Sequence, residues 1–163
     1  MAKKSTRQFW LFKSEPEAFS IDDLERCPDQ TTYWDGVRNY QARNFLRDSV
    51  SVGDGVLFYH SNADPLAIVG TATVVKAGYP DHTAFEPGNS HYDPKSKRDN
   101  PTWYMVDIRL VTKFRVPVER SKLLEVKSLE EMMLLRRGSR LSIQPVTATE
   151  WREVLSLAGV KEN

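Results

Sequence analysis

The side chains able to carry out nucleophilic, acid–base or metal chemistry are few in this sequence. All three histidines stand far apart, at positions His60, His82 and His91. No HxxxH or CxxC motif occurs, and Ser61 lacks the G-x-S-x-G context of a nucleophile elbow. Ser14 follows Lys13, but neighbouring strand residues point to opposite faces, which argues against a serine–lysine dyad. We therefore predict a protein that is not an enzyme, needs no cofactor and holds no metal.

Polar residues do follow two apolar, aromatic stretches directly. The first stretch, residues 9–12, ends at the polar triplet 13–15, and the second, residues 56–59, passes into His60 and Ser61. Both stretches have the composition of buried strands. Side chains at the ends of strands can point into the mouth of a barrel, so these groups are candidates for a binding site.

Hydrophobic patterns and turn signals predict the elements that would position these groups. Strands are expected at residues 9–12, 56–59, 66–76, 103–114 and 141–145. Helices are expected from residue 21 to about residue 27, at 38–48, near 128–136, and in a terminal segment containing 151–158. The composition of residues 78–101 is typical of a long surface loop, and such loops are often functional.

These elements predict an α+β fold with about five or six strands and about four helices. There is no βαβ alternation and no repeat, which favours a closed or nearly closed antiparallel β-barrel flanked by helices. The length of 163 residues suits one domain, at residues 9–160, preceded by a flexible N-terminal tail at residues 1–8.

Bulk composition narrows the partners and the compartment. No run of about 20 apolar residues occurs, so we expect no membrane partner. The single cysteine, Cys27, fits a reducing compartment, the cytoplasm or, in a eukaryote, the nucleus. The formal charge of +1 means that any nucleic-acid affinity must be local. The oligomeric state stays open.

Four stretches together resemble the EVE domain family. They are WLFKSEP at 10–16, WDGVRNYQARN at 34–44, FYHS at 58–61 and RLSIQPV at 140–146. Their order and spacing make the resemblance specific, and residues 79–82 and 91–94 resemble family positions less tightly. The resemblance implies a PUA-like barrel, related to YTH and ASCH domains. It also implies recognition of a modified base in DNA or RNA, with methylated or hydroxymethylated cytosine as the first expectation.

A base held in a pocket must leave its stack, and aromatic platforms can supply roughly 1–3 kcal/mol per base in return. Trp34 is the first candidate for such a platform, while ordinary core packing is the alternative for Trp10. Asn39 offers both a donor and an acceptor to a base edge, although it would equally suit the N-cap of the following helix. The predicted pocket comprises Trp10, Lys13, Ser14, Glu15, Trp34, Gly36, Val37, Asn39, Tyr59, His60, Ser61, Ser142 and Gln144.

Three arginines are candidates for phosphate binding outside the pocket, because a guanidinium binds phosphate through paired hydrogen bonds. They are Arg38, Arg43 and Arg98. Arg38 could equally pair with Asp35 or Glu15. Three alternatives to a modified-base reader remain at this point: an RNA-binding adaptor of PUA type, a protein-interaction domain with an exposed apolar patch, and an enzyme acting on nucleic acid.

Overall fold

The computed structural model describes residues 6–161; the first five residues of the predicted N-terminal tail lie outside them. The strands are β1 (Phe9–Ser14), β2 (Thr31–Tyr33), β3 (Gly55–His60), β4 (Ala67–Pro80), β5 (Tyr104–Glu119) and β6 (Ile143–Val146). The helices are α1 (Ile21–Arg26), α2 (Tyr40–Asp48), α3 (Arg120–Leu123) and α4 (Ala148–Leu157). Short 3-10 turns occur at residues 28–30, 82–85, 127–129 and 133–135. The prediction of an α+β fold with about five or six strands and about four helices is confirmed, since the described residues form six strands and four helices.

The strands form one mixed sheet in the order β2-β5-β4-β3-β1-β6. Strands β1 and β3 are parallel, with Phe12 opposite Phe58 and Ser14 opposite His60, and the remaining pairs are antiparallel. The prediction of a closed or nearly closed antiparallel β-barrel is therefore wrong in two respects. The segment between β1 and β3 carries two helices, long enough for a parallel return, and within residues 6–161 the edge strands β2 and β6 do not pair with each other.

Each face of the sheet covers its own hydrophobic cluster, because successive strand residues point to opposite sides. On β1, Trp10 and Phe12 pack in the cluster that includes Leu46 of α2. Leu11 packs in the other cluster, with Trp151 of α4. Strand β1 thus passes from the buried residues 10–12 to the polar triplet 13–15, in which Lys13 and Ser14 are partly buried and Glu15 is exposed.

The helices begin where side chains can satisfy free backbone N–H groups. Ser20 and Asp23 form a capping box at α1, and Thr147 and Glu150 form one at α4. The predicted helix near residues 128–136 is wrong: the chain forms two 3-10 turns separated at Met132, whose ψ of 130° is not helical. Every helix within residues 6–161 is too short or too polar to cross a membrane.

Candidate functional site

A cavity of about 590 Å³ lies where β1 and β2 end and the chain turns away from the sheet. Five residues of the predicted pocket line it: Lys13, Ser14, Glu15, Trp34 and Gly36. Six further residues that the sequence did not predict complete the wall: Ala18, Phe19, Thr32, Tyr33, Asp35 and His91. The cavity therefore brings together residues from the first strand, the segment around Trp34, and the long loop.

Trp34 forms the aromatic floor of the cavity and is 8% exposed. Its ring contacts Phe12 and Phe58, each at a centroid distance of 5.4 Å, and meets Phe19 edge-on at 6.2 Å. Because edge-to-face neighbours hold a ring in one orientation, this floor is fixed by the core. Phe19, which also lines the cavity, is only partly buried.

The end of β1 supplies the polar side of the cavity. The Ser14 hydroxyl donates to the Phe19 carbonyl at 2.5 Å, which ties the strand end to the segment before α1. Burial lowers the pKa of Lys13, and the nearby charge of Arg120 lowers it further. The Lys13 backbone N–H donates to the Ser142 carbonyl, so the strand β6 side of the sheet also fixes this corner.

Gly36 and His91 meet at the opposite rim. Gly36 has φ of +80°, and a Cβ atom built there would lie 2.5 Å from both Cε1 and Nε2 of His91. The Nδ1 atom of His91 lies 3.0 Å from Oδ2 of Asp35. A carboxylate at this distance favours the tautomer with the proton on Nδ1, because the hydrogen bond of one ring nitrogen sets the state of the other. The Nε2 atom then carries a lone pair.

Asp81 connects residues of this rim through hydrogen bonds. Its carboxylate is fully buried and accepts hydrogen bonds from the Gly36 N–H at 2.9 Å and from Arg38 at 3.0 Å. Its other oxygen accepts from the backbone N–H and the hydroxyl of Thr83. Burial acts to raise the pKa of Asp81, but these hydrogen bonds and the Arg38 charge outweigh it, so the pKa lies below its ordinary value.

Several residues of the predicted pocket lie elsewhere in the structure. Trp10 is in the core, where its indole N–H donates to Asp54 at 2.9 Å. Tyr59 packs in the cluster on the opposite face of the sheet, and Val37 is buried in the core beside Trp34. Gln144 is buried and donates to the Leu141 carbonyl at 2.9 Å. These side chains do not line the cavity, because strand alternation and local hydrogen bonds turn them inward.

Four other predicted positions do not line the cavity either. The Asn39 side chain caps α2 by accepting from the Ala42 N–H at 3.0 Å, the structural alternative to reading a base. His60 accepts from the Ile21 N–H at 3.1 Å, at the start of α1. The backbone N–H of Ser61 donates to the Ser14 carbonyl, and Ser142 contributes its carbonyl to Lys13. Their side chains or backbones hold the elements that surround the cavity.

The three predicted phosphate-binding arginines occupy different surroundings. Arg38 is engaged by Asp81 and by the His91 carbonyl at 2.7 Å. Arg43 donates to the Thr102 carbonyl and lies over the ring of Tyr40. Arg98 lies over the ring of Phe85 in the long loop. Arg38 therefore contacts the cavity rim through His91, whereas among the described residues no contact joins Arg43 or Arg98 directly to that rim.

The long loop contributes more to the site than composition could indicate. His91 and Asp81 both come from it, and the resemblance of residues 79–82 and 91–94 to family positions was the available signal. Tyr33 and Asp35 are the sequence neighbours of Trp34, so a pocket that contains Trp34 would have predicted them as well. Across residues 6–161, no three metal-ligating side chains converge.

The arrangement can hold a flat, polar ring. Trp34 supplies an aromatic ring, and the wall carries the Asp35 carboxylate and the His91 imidazole on one side. The other side carries the ammonium of Lys13, the hydroxyl of Ser14 and the carboxylate of Glu15. Donors and acceptors at fixed positions can distinguish the edges of heterocycles. The fold and the site together define a small α+β domain with a cavity at the ends of β1 and β2.

Sequence comparison identifies the class to which this domain belongs. The model of the EVE domain matches residues 8–157, and the chain belongs to the EVE domain family. Human thymocyte nuclear protein 1 is 48% identical over 174 residues, an overlap covering 94% of this chain and 75% of the human protein.

Solved structures of relatives share the fold closely. A hypothetical protein from Leishmania major superposes with a TM-score of 0.89 at 41% identity, covering 94% of this chain and 96% of that one. The human THYN1 protein, solved in complex with 5-methylcytosine-containing DNA, superposes with a TM-score of 0.88 at 46% identity. That superposition covers 95% of this chain and 99% of the human chain in that crystal structure.

Proposed function

We propose that this protein binds DNA containing a modified cytosine, first of all 5-methylcytosine, and takes the modified base into the cavity over Trp34 without altering it. The observation that carries the proposal is the cavity itself, in which a fixed aromatic floor lies beside donors and acceptors from Lys13, Ser14, Asp35 and His91. A base that enters it must be extruded from its stack, as in other proteins that handle single bases. We also propose that the fold is PUA-like, as the resemblance to the EVE domain family implies.

The size of the cavity supports a ligand of this class. Pockets that enclose small molecules commonly measure about 300–1,000 Å³, and this one measures about 590 Å³. Stacking on an aromatic ring is tolerant of base identity, so selectivity must come from the wall. The Asp35 carboxylate can accept from an exocyclic amine, whereas the Lys13 ammonium can donate to ring or carbonyl acceptors. The Ser14 hydroxyl, whose proton points to the Phe19 carbonyl, can accept from a donor of the base. The apolar Phe19 and Ala18 give a methyl group a surface to contact.

The human relative supports the choice of DNA and of 5-methylcytosine. Its structure was solved with 5-methylcytosine-containing DNA, and it aligns with nearly the whole of this chain. A domain that keeps the same fold at this identity is a reasonable candidate for the same class of ligand. The DNA would be met in the cytoplasm or, in a eukaryote, in the nucleus.

The hydrogen bonds of Ser14, Asp35 and His91 favour binding without catalysis. The Ser14 hydroxyl donates its proton to the Phe19 carbonyl and is thereby held as part of the wall. The Asp35–His91 pair resembles a general base with its orienting carboxylate. In the described part of the chain no hydroxyl or thiol is hydrogen-bonded to His91, so the pair is assigned to recognition.

The test is a binding panel measured by fluorescence anisotropy in the presence of EDTA. Matched oligonucleotides would carry cytosine, 5-methylcytosine or 5-hydroxymethylcytosine at one central position, as DNA and as RNA. We expect 5-methylcytosine DNA to bind most tightly and to be recovered unchanged by mass spectrometry. Equal affinity across the panel would refute modified-base recognition, a preference for RNA would favour the adaptor alternative, and conversion of the base would reveal an enzyme.

A further inference from the structure

An exposed aromatic stack lies beside the cavity rim. Tyr40, the first residue of α2, is 63% exposed, although it stacks on Trp103 with a centroid distance of 5.1 Å and an interplanar angle of 26°. Trp103 is buried beneath it, and its indole N–H donates to Asp93 at 2.6 Å. One face of the Tyr40 ring is thus supported by a fixed indole, while much of the side chain remains accessible to solvent.

Two arginines border this stack. The Arg38 guanidinium lies 5.3 Å from the ring centroid of Trp103, and that of Arg43 lies 5.2 Å from the ring centroid of Tyr40. Arg43 is held by Asn44 and by the Thr102 carbonyl through two of its nitrogens. No described residue accepts from its third nitrogen, and no carboxylate forms an ion pair with it. The guanidinium therefore keeps its charge available next to the exposed ring.

The stack is joined to the cavity through Arg38. This guanidinium donates to the carbonyl of His91, which lines the cavity, and to Asp81, which also accepts from Gly36 on the same rim. Contacts of Arg38 therefore join the rim of the cavity to the stack of Tyr40 on Trp103. A DNA strand that leaves the cavity on this side would contact Tyr40 and Arg43.

We infer, on the basis of the proposed function, that the exposed part of the Tyr40 ring is a stacking platform for the nucleotide adjacent to the bound base, and that Arg43 moves from its position over the ring to bind the phosphate of that nucleotide. Extruding one base leaves its neighbour without a stacking partner, and an aromatic side chain restores that contact. A tyrosine already ordered by Trp103 loses little conformational freedom on binding. An arginine beside the ring supplies the charge that the phosphate requires.

The platform and the cavity can be tested separately, because a free nucleoside fills the cavity but has no neighbour. Affinity would be measured for 5-methyl-2′-deoxycytidine by calorimetry, and for a single-stranded oligodeoxynucleotide with one central 5-methylcytosine by anisotropy. We expect Tyr40→Ala to weaken oligonucleotide binding about 10-fold and to leave nucleoside binding unchanged. Tyr40→Phe keeps the ring and should retain the wild-type affinity for both ligands.

Arg43 has a matched control one turn further along the same helix. Arg47 is paired with Asp48 at 2.8 Å. We expect Arg43→Ala to reduce the salt dependence of oligonucleotide binding by about one phosphate contact, a change of about 0.7 in the logarithmic slope for a single strand. Arg47→Ala should leave this slope unchanged. Thermal melting of each variant would confirm that the fold is intact.

Each outcome decides between the two proposals. If Tyr40→Ala weakens neither ligand, or weakens both equally, the platform is refuted, while a wild-type preference for the modified base leaves the cavity proposal standing. If the wild type binds oligonucleotides regardless of modification and Tyr40→Ala still weakens them, the platform stands and the cavity proposal fails. If the wild type binds no oligonucleotide, both are refuted.

Discussion

Gly36 and His91 are packed so closely that no side chain fits between them. A Cβ atom at position 36 would stand 2.5 Å from Cε1 and Nε2 of the imidazole and 2.8 Å from Cδ2. The backbone at Gly36 also has a positive φ of +80°, which other residues rarely adopt. This contact lets the histidine of a distant loop reach the cavity wall beside Trp34.

Gly36→Ala should therefore displace His91 and weaken binding of the modified base. We expect a loss of about 10-fold or more, the scale of one well-placed hydrogen-bonding group. The measurement is oligonucleotide affinity by anisotropy. The left-handed backbone adds a cost in stability of about 1–2 kcal/mol, so the folded fraction must be checked by thermal melting.

Gly53→Ala is the matched control for this prediction. Gly53 has φ of +94°, but nothing lies within 4 Å of a Cβ built there. The two variants should lose similar stability, and Gly53→Ala should keep its affinity. If both variants bind as the wild type does, His91 has no part in recognition.

Asn39→Ala should destabilise the protein by about 1 kcal/mol, the usual contribution of an N-cap. The Asn39 side chain accepts from the Ala42 N–H, whereas it does not line the cavity. Asn39→Asp keeps an acceptor at the cap and should retain wild-type stability. The free energy of unfolding would be measured by urea denaturation.

A different result would restore the role that the sequence predicted for Asn39. If Asn39→Ala melts at the wild-type temperature but loses affinity for the modified base, the side chain leaves its cap to contact the ligand. The cap assignment would then describe the unliganded protein alone.

The residues that could be predicted from the sequence are those whose role depends on local order. Lys13, Ser14 and Glu15 follow a buried strand, and Trp34 and Gly36 belong to a recognisable motif. His91 could not be placed, because its approach to Gly36 depends on how Asp81 folds the long loop. Asn39 had two roles compatible with the same pattern, and only the position of α2 distinguishes them.

The same division holds for the fold. Hydrophobic patterns and turn signals predicted most of the elements, such as α1, which begins after the N-cap Ser20. The order of the strands depends on contacts between distant segments, which local patterns do not encode. The parallel pairing of β1 with β3, through Phe12 and Phe58, is such a contact, and it separates this mixed sheet from the predicted antiparallel barrel.

Acidification below about pH 6.5 should reduce stability through His60. Burial lowers the pKa of His60 below its ordinary value of 6.5, and the charge of Asp22 opposes this shift in part. The neutral ring accepts from the Ile21 N–H. The stabilising contribution of the neutral ring is complete above pH 6.5 and is lost as the pH falls through the lower folded-state pKa. Melting temperatures between pH 8 and pH 5 would reveal the decline.

His60→Gln provides the comparison, since its amide oxygen can accept from the same N–H and does not titrate. We expect this variant to show a flatter melting temperature across the same range. An equal decline in both proteins would assign the acid sensitivity to other groups.

Asp35 should fix the tautomer of His91 and, through it, the selectivity of the cavity. With Asp35 Oδ2 at 3.0 Å from Nδ1, the neutral imidazole carries its proton on Nδ1 and leaves Nε2 as an acceptor. Asp35→Ala removes this preference, and nitrogen chemical shifts of the His91 ring should then report the Nε2–H tautomer in a larger share of the molecules. Because an acceptor becomes a donor at that nitrogen, affinity for 5-methylcytosine DNA should fall about 5-fold to 10-fold.

Asp35→Asn keeps an oxygen that can accept from Nδ1, so it should preserve both the tautomer and most of the affinity. If Asp35→Ala changes the tautomer without changing affinity, His91 does not contact the base; if it changes affinity alone, the Asp35 carboxylate is itself the contact.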